Sequence, residues 1–137
     1  MDERSVILID LPEGRSVDTD FLENLGHTVV VCHGPPLRTL CPILAGEECP
    51  KVGSAHGVIF ELDLERPQHR AILAAYQDML PDDIPLRVST TPELARRHAA
   101  LLSGVQVWTH EPTIGELDGF SALVEASDRF REAERTA

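Results

Sequence analysis

Three cysteines and a histidine lie within one short segment of this chain, and residues of these types can hold a metal or carry thiol chemistry. Cys32, Cys41 and Cys49 fall within the segment VCHGPPLRTLCPILAGEECP (31–50), and His33 follows the first of them. Thiolate and imidazole groups are ligands for zinc, iron–sulfur clusters and haem. The spacing matches neither the short zinc chelates nor the ferredoxin patterns. The segment is therefore a candidate metal, iron–sulfur or haem site, with His33, His56 or a carboxylate such as Glu47 as a further ligand.

Two other interpretations of the cysteines stay open. A redox-active thiol needs positive surroundings to lower its pKa, and Arg38 and Lys51 are the basic residues near these cysteines in an acidic chain. Buried cysteines also behave as small apolar residues, and Cys32 at the end of VVVC fits that role. The odd number of cysteines argues against a disulfide framework.

Composition and charge narrow the classes of partner. The 137 residues predict a single domain over residues 1–130, followed by a frayed C-terminal tail at 131–137. With 23 acidic and 12 basic residues the net charge is −11, so nucleic-acid phosphates would repel the chain and direct binding to DNA or RNA is not expected. No apolar run approaches the ~18 residues of a membrane span, and none at the start has signal-peptide length, so the predicted location is the cytoplasm, away from membranes.

Apolar runs of strand length alternate with segments of helical spacing along the whole chain. Continuous β-branched and apolar runs predict buried strands at 5–10, 27–32, 57–62, 84–90 and 105–110. Helical spacing predicts helices at 18–26, 66–81, 91–104 and 113–130. This alternation predicts a flavodoxin-like α/β fold, a three-layer sandwich whose five-stranded parallel sheet has the order 2-1-3-4-5. The cysteine- and proline-rich loop replaces the second helix, with at most one helical turn near 37–45.

Capping residues fix several helix ends. Gly26 is a natural terminator after the first helix, and Thr91 with Pro92 forms a typical helix start. Thr113-x-x-Glu116 is a capping box that opens the last helix. The spacing of that helix predicts four buried residues: Ile114, Leu117, Phe120 and Val124.

Four segments, in the right order, resemble the receiver domains of bacterial two-component response regulators. They are ENLGHTVVVCHGP (23–35), DLERP (63–67), IPLRVST (84–90) and WTHEP (108–112). The resemblance implies a phosphoacceptor at Asp63, whereas counting along the third strand puts Glu61 at the strand end. It further implies an acidic pocket at Asp10, with Thr90 and Trp108 as switch residues that report the state of the site to an interaction surface.

Two positions depart from the receiver pattern. Receivers have a second acidic residue at the end of the first strand, where Leu11 follows Asp10, and a lysine where this chain has Glu111. A negative charge at that position would repel a phosphate, and the lost acid weakens a Mg²⁺ site, so Mg²⁺ is not an expected cofactor. The sequence therefore predicts a degenerate receiver, or pseudo-receiver, that is not phosphorylated in the conventional way.

The functional prediction is a stand-alone signalling or regulatory module that binds another protein. In receivers the surface made by the last two helices and the fifth strand contacts partners, and this surface is the predicted interface; a homodimer is compatible with it. The alternative is a metal-, iron–sulfur- or haem-binding or redox sensor that uses the three cysteines. No catalytic constellation is evident, so the prediction leans away from an enzyme.

Overall fold

Five parallel strands form one sheet whose order is the one that the sequence predicts. In the computed structural model, which describes residues 5–11, 19–33, 43 and 49–136, the strand order is β2-β1-β3-β4-β5. The strands are β1 (Val6–Asp10), β2 (Thr28–Cys32), β3 (Gly57–Phe60), β4 (Leu86–Ser89) and β5 (Gln106–Trp108). All pairs are parallel, and β1 is central enough to pair with both β2 and β3. The carboxyl ends of the strands therefore meet at one edge.

Helices cover both faces of the sheet. They are α1 (Thr19–Asn24), α2 (Pro50–Gly53), α3 (Pro67–Met79), α4 (Pro92–Arg97) and α5 (Ile114–Thr136). Because successive strand residues point to opposite faces, Leu8 and Phe60 pack with α3 in one apolar cluster, whereas Ile7 and Ile59 pack with α1 and α5 in another. These two clusters make the three-layer sandwich, and the flavodoxin-like prediction is confirmed.

The predicted local signals act at the ends of the helices. Gly26 follows α1 with a φ of 98°, a conformation in which residues with a Cβ are strained. The Thr91 hydroxyl accepts the N–H of Leu94 at 3.2 Å. At the start of α5, the Thr113 N–H donates to Glu116 Oε1 at 3.0 Å and the Glu116 N–H donates to Thr113 Oγ1 at 3.2 Å. The capping box is therefore formed as predicted.

Gly57 is required by the packing of α5 on the sheet. A Cβ at this position would lie 2.6 Å from Cγ2 of Val124 and 3.1 Å from the ring of Phe120. Both side chains belong to the buried cluster between α5 and the sheet. The missing side chain at the start of β3 lets α5 approach the sheet closely.

Some predicted boundaries are wrong in instructive ways. The helix predicted over 91–104 ends at Arg97, and hydrogen-bonded turns follow that bring Leu102 into the core. Ile114, predicted to be buried, is the first residue of α5 and is 57 % exposed, whereas Leu117, one turn later, is buried. Residues 131–136 continue α5, and the expected fraying of 131–137 stays a prediction.

A single helical turn occupies the described part of the connection between β2 and β3. This turn is α2, at Pro50–Gly53, with Cys49 as its N-cap residue. The turn expected near 37–45 falls outside the described residues except for Ile43, which is buried in the core cluster that includes Val52 of α2. In the part of the chain that the structure describes, every helix is too short or too polar to cross a membrane.

Candidate functional site at the carboxyl edge of the sheet

Asp10 is the last residue of β1, and its carboxyl group is buried. Only 1 % of the residue is exposed. Strand alternation puts Asp10 on the same face as Leu8, which is the face that α3 covers. The Tyr76 hydroxyl on α3 and the Cys32 thiol at the end of β2 are hydrogen-bonded to the carboxyl group. Through these hydrogen bonds the buried Asp10 carboxyl connects β1 with β2 and α3 at the carboxyl edge of the sheet.

The surroundings of Asp10 favour its neutral form. Burial raises the pKa of this carboxyl from 3.8 to about 6, and the hydrogen bonds from Tyr76 and Cys32, with the charge of Lys51, lower it only in part. Its Oδ2 atom has no hydrogen-bond partner among the described residues. In the same cluster, burial first and then the charge of Asp10 raise the pKa of the Tyr76 hydroxyl, which therefore stays protonated and can donate.

Glu61 follows the last residue of β3 and is also buried, with 2 % of its surface exposed. Its backbone N–H donates to the carbonyl oxygen of Asp10 at 2.7 Å, which extends the pairing of β1 with β3 by one residue. The carboxyl ends of these two strands therefore bring two buried acidic residues side by side in the backbone.

Asp63 lies two residues farther along and forms part of a turn. Its Oδ1 atom accepts the N–H of Glu65 at 2.9 Å, and its own N–H donates to Nδ1 of His69 at 3.0 Å. His69 is buried in the first turn of α3, and burial lowers the pKa of its imidazole, which keeps Nδ1 available as an acceptor. The half-buried Asp63 thus fixes the connection between β3 and α3.

The described acidic residues do not fit the magnesium ion that the receiver resemblance implies. Mg²⁺ needs carboxylate oxygens that converge at a position open to water and phosphate. The Asp10 carboxyl group lies instead under the edge, bound to a hydroxyl and a thiol. Among the described residues, no three histidine, cysteine, aspartate or glutamate side chains come together in a metal-binding arrangement.

Thr90 and Trp108 lie at the ends of neighbouring strands. The N–H of Thr90 donates to the carbonyl oxygen of Trp108 at 2.9 Å, and both residues are half-buried. The Trp108 ring packs edge-to-face on Phe120 of α5, with ring centroids 6.3 Å apart. Glu111, which the sequence resemblance matches to a receiver lysine, is exposed. His110 pairs with Glu116 of the capping box, Nε2 to Oε1 at 2.8 Å.

The described candidate metal ligands lie at the two ends of the connection between β2 and β3. Cys32 is half-buried beside Asp10, and Cys49 is a half-buried free thiol just before α2. His33 is exposed, and its Nδ1 lies 2.8 Å from the carbonyl oxygen of Leu11. Cys41 falls outside the described residues.

Tyr76 and His69 belong to this edge, although neither was predicted as a site residue. Tyr76 is the single tyrosine of the chain and falls on the apolar face of its helix. A buried tyrosine needs a polar partner for its hydroxyl, so its position in the core face could have signalled a buried polar group nearby. For His69 the sequence offers no comparable signal, because its partner is a backbone N–H.

Comparison with solved structures relates this fold to receiver domains. The chain is similar to a response regulator receiver domain protein from Clostridium thermocellum, with a TM-score of 0.60 and 18 % identity over 94 % of this chain and 98 % of that one. No family model and no curated protein matches the chain. The chain therefore has a receiver-like fold, as its sequence segments predict.

Proposed function

We propose that the chain is a pseudo-receiver, a signalling or regulatory module that acts by binding another protein without aspartyl phosphorylation. The observation that carries this proposal is the position of Asp10. A receiver needs an acidic group open to Mg²⁺ and phosphate, whereas this carboxyl is buried against Tyr76 and Cys32 and its pKa is raised to about 6. The exposed Glu111 adds a negative charge where a phosphate would need a positive one.

The first test is chemical phosphorylation. The protein is incubated with acetyl phosphate and Mg²⁺, together with a receiver that has its acid pair and lysine, and intact masses are recorded. We expect an adduct on the control receiver alone. Glu111→Lys is the informative variant: it restores the cation but leaves Asp10 buried, so we expect it to stay unmodified too. A phosphate adduct on Asp63 or Glu61 of the unaltered chain would refute the proposal.

We infer that the partner binds the surface formed by α4, β5 and α5. Because β5 is an edge strand, one side of its backbone is not paired within the sheet. Trp108 lies half-buried on this strand, and Leu123 and Phe130 of α5 are exposed, Phe130 to 62 %. Tryptophan and phenylalanine are enriched at protein interfaces, and the same surface could serve a homodimer.

Crosslinking can test this surface with a matched pair of positions. A photo-crosslinking residue replaces Gln106 on β5 or Gln68 on α3, both of which are exposed glutamines. We expect adducts with a partner protein, or with a second copy of the chain, from position 106 and not from position 68. Equal yields from the two positions would contradict the assignment of the interface.

A metal, iron–sulfur or haem sensor is the second candidate. It is supported by the two described cysteines at the ends of the β2–β3 connection: Cys32 ends β2, and Cys49, a free thiol, precedes α2. Metal and haem analysis of anaerobically purified protein tests it, with Cys41→Ser and Cys49→Ser as variants. Stoichiometric metal or haem that these variants lose would establish the sensor, whereas metal-free, colourless protein would eliminate it.

A further inference from the structure

A cavity lies at the amino edge of the sheet, opposite the acidic edge described above. It has a volume of ≈ 480 Å³ and is bounded by the end of α3, the 81–85 connection, the first residues of β4 and β5, and α5. This volume is in the range of small-molecule sites. Arg87, the second residue of β4, is part of the lining, together with polar residues that include Gln106 and Ser127.

Arg87 is a half-buried cation without a carboxylate partner among the described residues. Arg97 and Arg131 each pair with two acidic side chains. The described contacts of the Arg87 guanidinium are instead one hydrogen bond from Nη1 to the carbonyl oxygen of Leu86, at 3.2 Å, and stacking over Phe120 at 5.9 Å. A guanidinium has five N–H donors. Burial lowers the pKa of this guanidinium.

The half-buried Arg87 guanidinium has no carboxylate partner among the described residues, although the chain has a net charge of −11. Arginine is almost never fully buried unless it is paired, and partial burial leaves its unpaired N–H donors in need of acceptors. Its planar fork matches the two oxygens of a carboxylate, and a cavity that partly excludes water strengthens such a pair. The bound group therefore needs to bring a negative charge to Arg87.

The remaining lining narrows the class of anion. Ile84, Val105 and Leu123 give the cavity an apolar wall. Asp82 and Asp83 also line it, and although Asp83 is paired with Arg131 at 3.5 Å, both residues disfavour a ligand with more than one negative charge. An apolar molecule with a single carboxylate satisfies both conditions.

We propose that this cavity binds a small organic monocarboxylate, whose carboxylate pairs with the Arg87 guanidinium and whose apolar body packs against Ile84 and Leu123. The site lies at the opposite edge of the sheet from Asp10 and does not depend on the pseudo-receiver proposal. It would give the module a small-molecule input that is separate from the edge where receivers are phosphorylated.

Titration by nuclear magnetic resonance tests the site, with benzoate as the probe and chloride at the same ionic strength as the reference. We expect a saturable shift of the Arg87 Nε–Hε signal with benzoate, and weaker binding of inorganic phosphate. A shift that does not saturate, or that chloride reproduces, would overturn the proposal. Tighter binding of phosphate than of benzoate would overturn the assignment to monocarboxylates.

Two conservative variants separate the site from a general effect of charge. Arg87→Lys keeps the cation but loses the planar fork, and we expect benzoate affinity to fall by about tenfold. Arg70→Lys is the matched control, because Arg70 is also half-buried but its donors bind the carbonyl oxygens of Leu64 and Glu65. Equal losses in both variants would count against the site.

A third variant guards against a folding defect in Arg87→Lys. Ser127→Leu leaves Arg87 in place and extends an apolar side chain from α5 into the cavity. We expect it to abolish the saturable shift while the backbone amide spectrum keeps its dispersion. Unchanged benzoate affinity in a folded Ser127→Leu variant would mean that the ligand does not occupy this cavity.

Discussion

Two carboxyl groups, one at the end of β1 and one at the start of α5, respond to the fold in opposite directions. The Asp10 carboxyl is buried, and its pKa is raised to about 6. The Glu116 carboxyl lies at the surface, where the backbone N–H of Thr113 and then the side chain of His110 lower its pKa. The fold therefore raises the pKa of one carboxyl group and lowers the pKa of the other.

The difference teaches which contacts decide the behaviour of a polar group in this protein. Glu116 obtains its partners from residues three and six positions away in the chain. Asp10 interacts with Cys32 and Tyr76, which lie on other elements and meet it only after the sheet and α3 have packed. Local hydrogen bonds stabilise the Glu116 carboxylate, whereas burial by distant elements destabilises the ionised form of Asp10.

The largest expected effect comes from Asp10→Asn. Because the folded pKa is above the unfolded one, the neutral carboxyl stabilises the protein fully below pH 3.8, and this contribution is lost as the pH rises through about 6. Asparagine does not ionise, so we expect the variant to be more stable at about pH 7.5 by on the order of 3 kcal/mol. Urea unfolding at about pH 4 and about pH 7.5 measures this difference.

At about pH 4 the gap between wild type and Asp10→Asn should close. The exposed Asp118 on α5 offers a matched control, and Asp118→Asn should leave the free energy of unfolding nearly unchanged at both pH values. If the free energy of unfolding of Asp10→Asn depended on pH in the same way as that of the wild type, the Asp10 carboxyl would not have a raised pKa in the folded state.

Tyr76→Phe sharpens the same comparison with a smaller effect. The variant keeps the ring that packs edge-to-face on Phe60, at 6.1 Å between centroids, and removes only the hydroxyl that donates to Asp10. A hydrogen bond to a charged group contributes about 2 kcal/mol, so we expect a loss of that size at about pH 7.5. Urea unfolding of the single variant and of the double variant with Asp10→Asn measures the coupling. Equal losses in both backgrounds would show that the hydroxyl does not act through Asp10.

Thr113→Ala has the smallest expected effect and changes the capping box that contains Glu116. It removes the hydroxyl that caps α5, and the free energy of unfolding should fall by about 1 kcal/mol. Since the capping hydroxyl does not titrate, we expect the loss to be similar at about pH 6 and about pH 7.5. Thr109→Ala, at another exposed threonine, is the control. A loss confined to the higher pH would erase the contrast between the two regions.

The five strands and the helices other than α2 were predictable because each has its signal within a few residues. Continuous apolar runs predicted all five strands to within a few residues, and their alternation with helices predicted the sheet order. The predicted end of α4 was wrong, since the apolar residues of 98–104 continue a helical pattern although the chain turns there to reach β5. The exposure of Ile114 was missed because helical spacing does not reveal where the edge of a sheet lies.

The candidate sites were less predictable. The segments that resemble receivers directed attention to Asp10, Glu61 and Asp63, but nothing near Asp10 in the chain indicates that Tyr76 would cover it. Arg87 had no distinguishing sequence signal, because its lack of a carboxylate partner among the described residues depends on how α5 and the 81–85 connection surround it.

By itself, the sequence determined the strands, the sheet order, the capped helix starts and the acidic surface of this protein. These follow from periodicity, capping chemistry and net charge, which act over a few residues or over the whole composition. Tertiary structure alone decided that Asp10 is buried and that Arg87 lines a cavity. Desolvation is the physical reason: it depends on which distant elements remove water from a side chain, and local sequence carries no record of that.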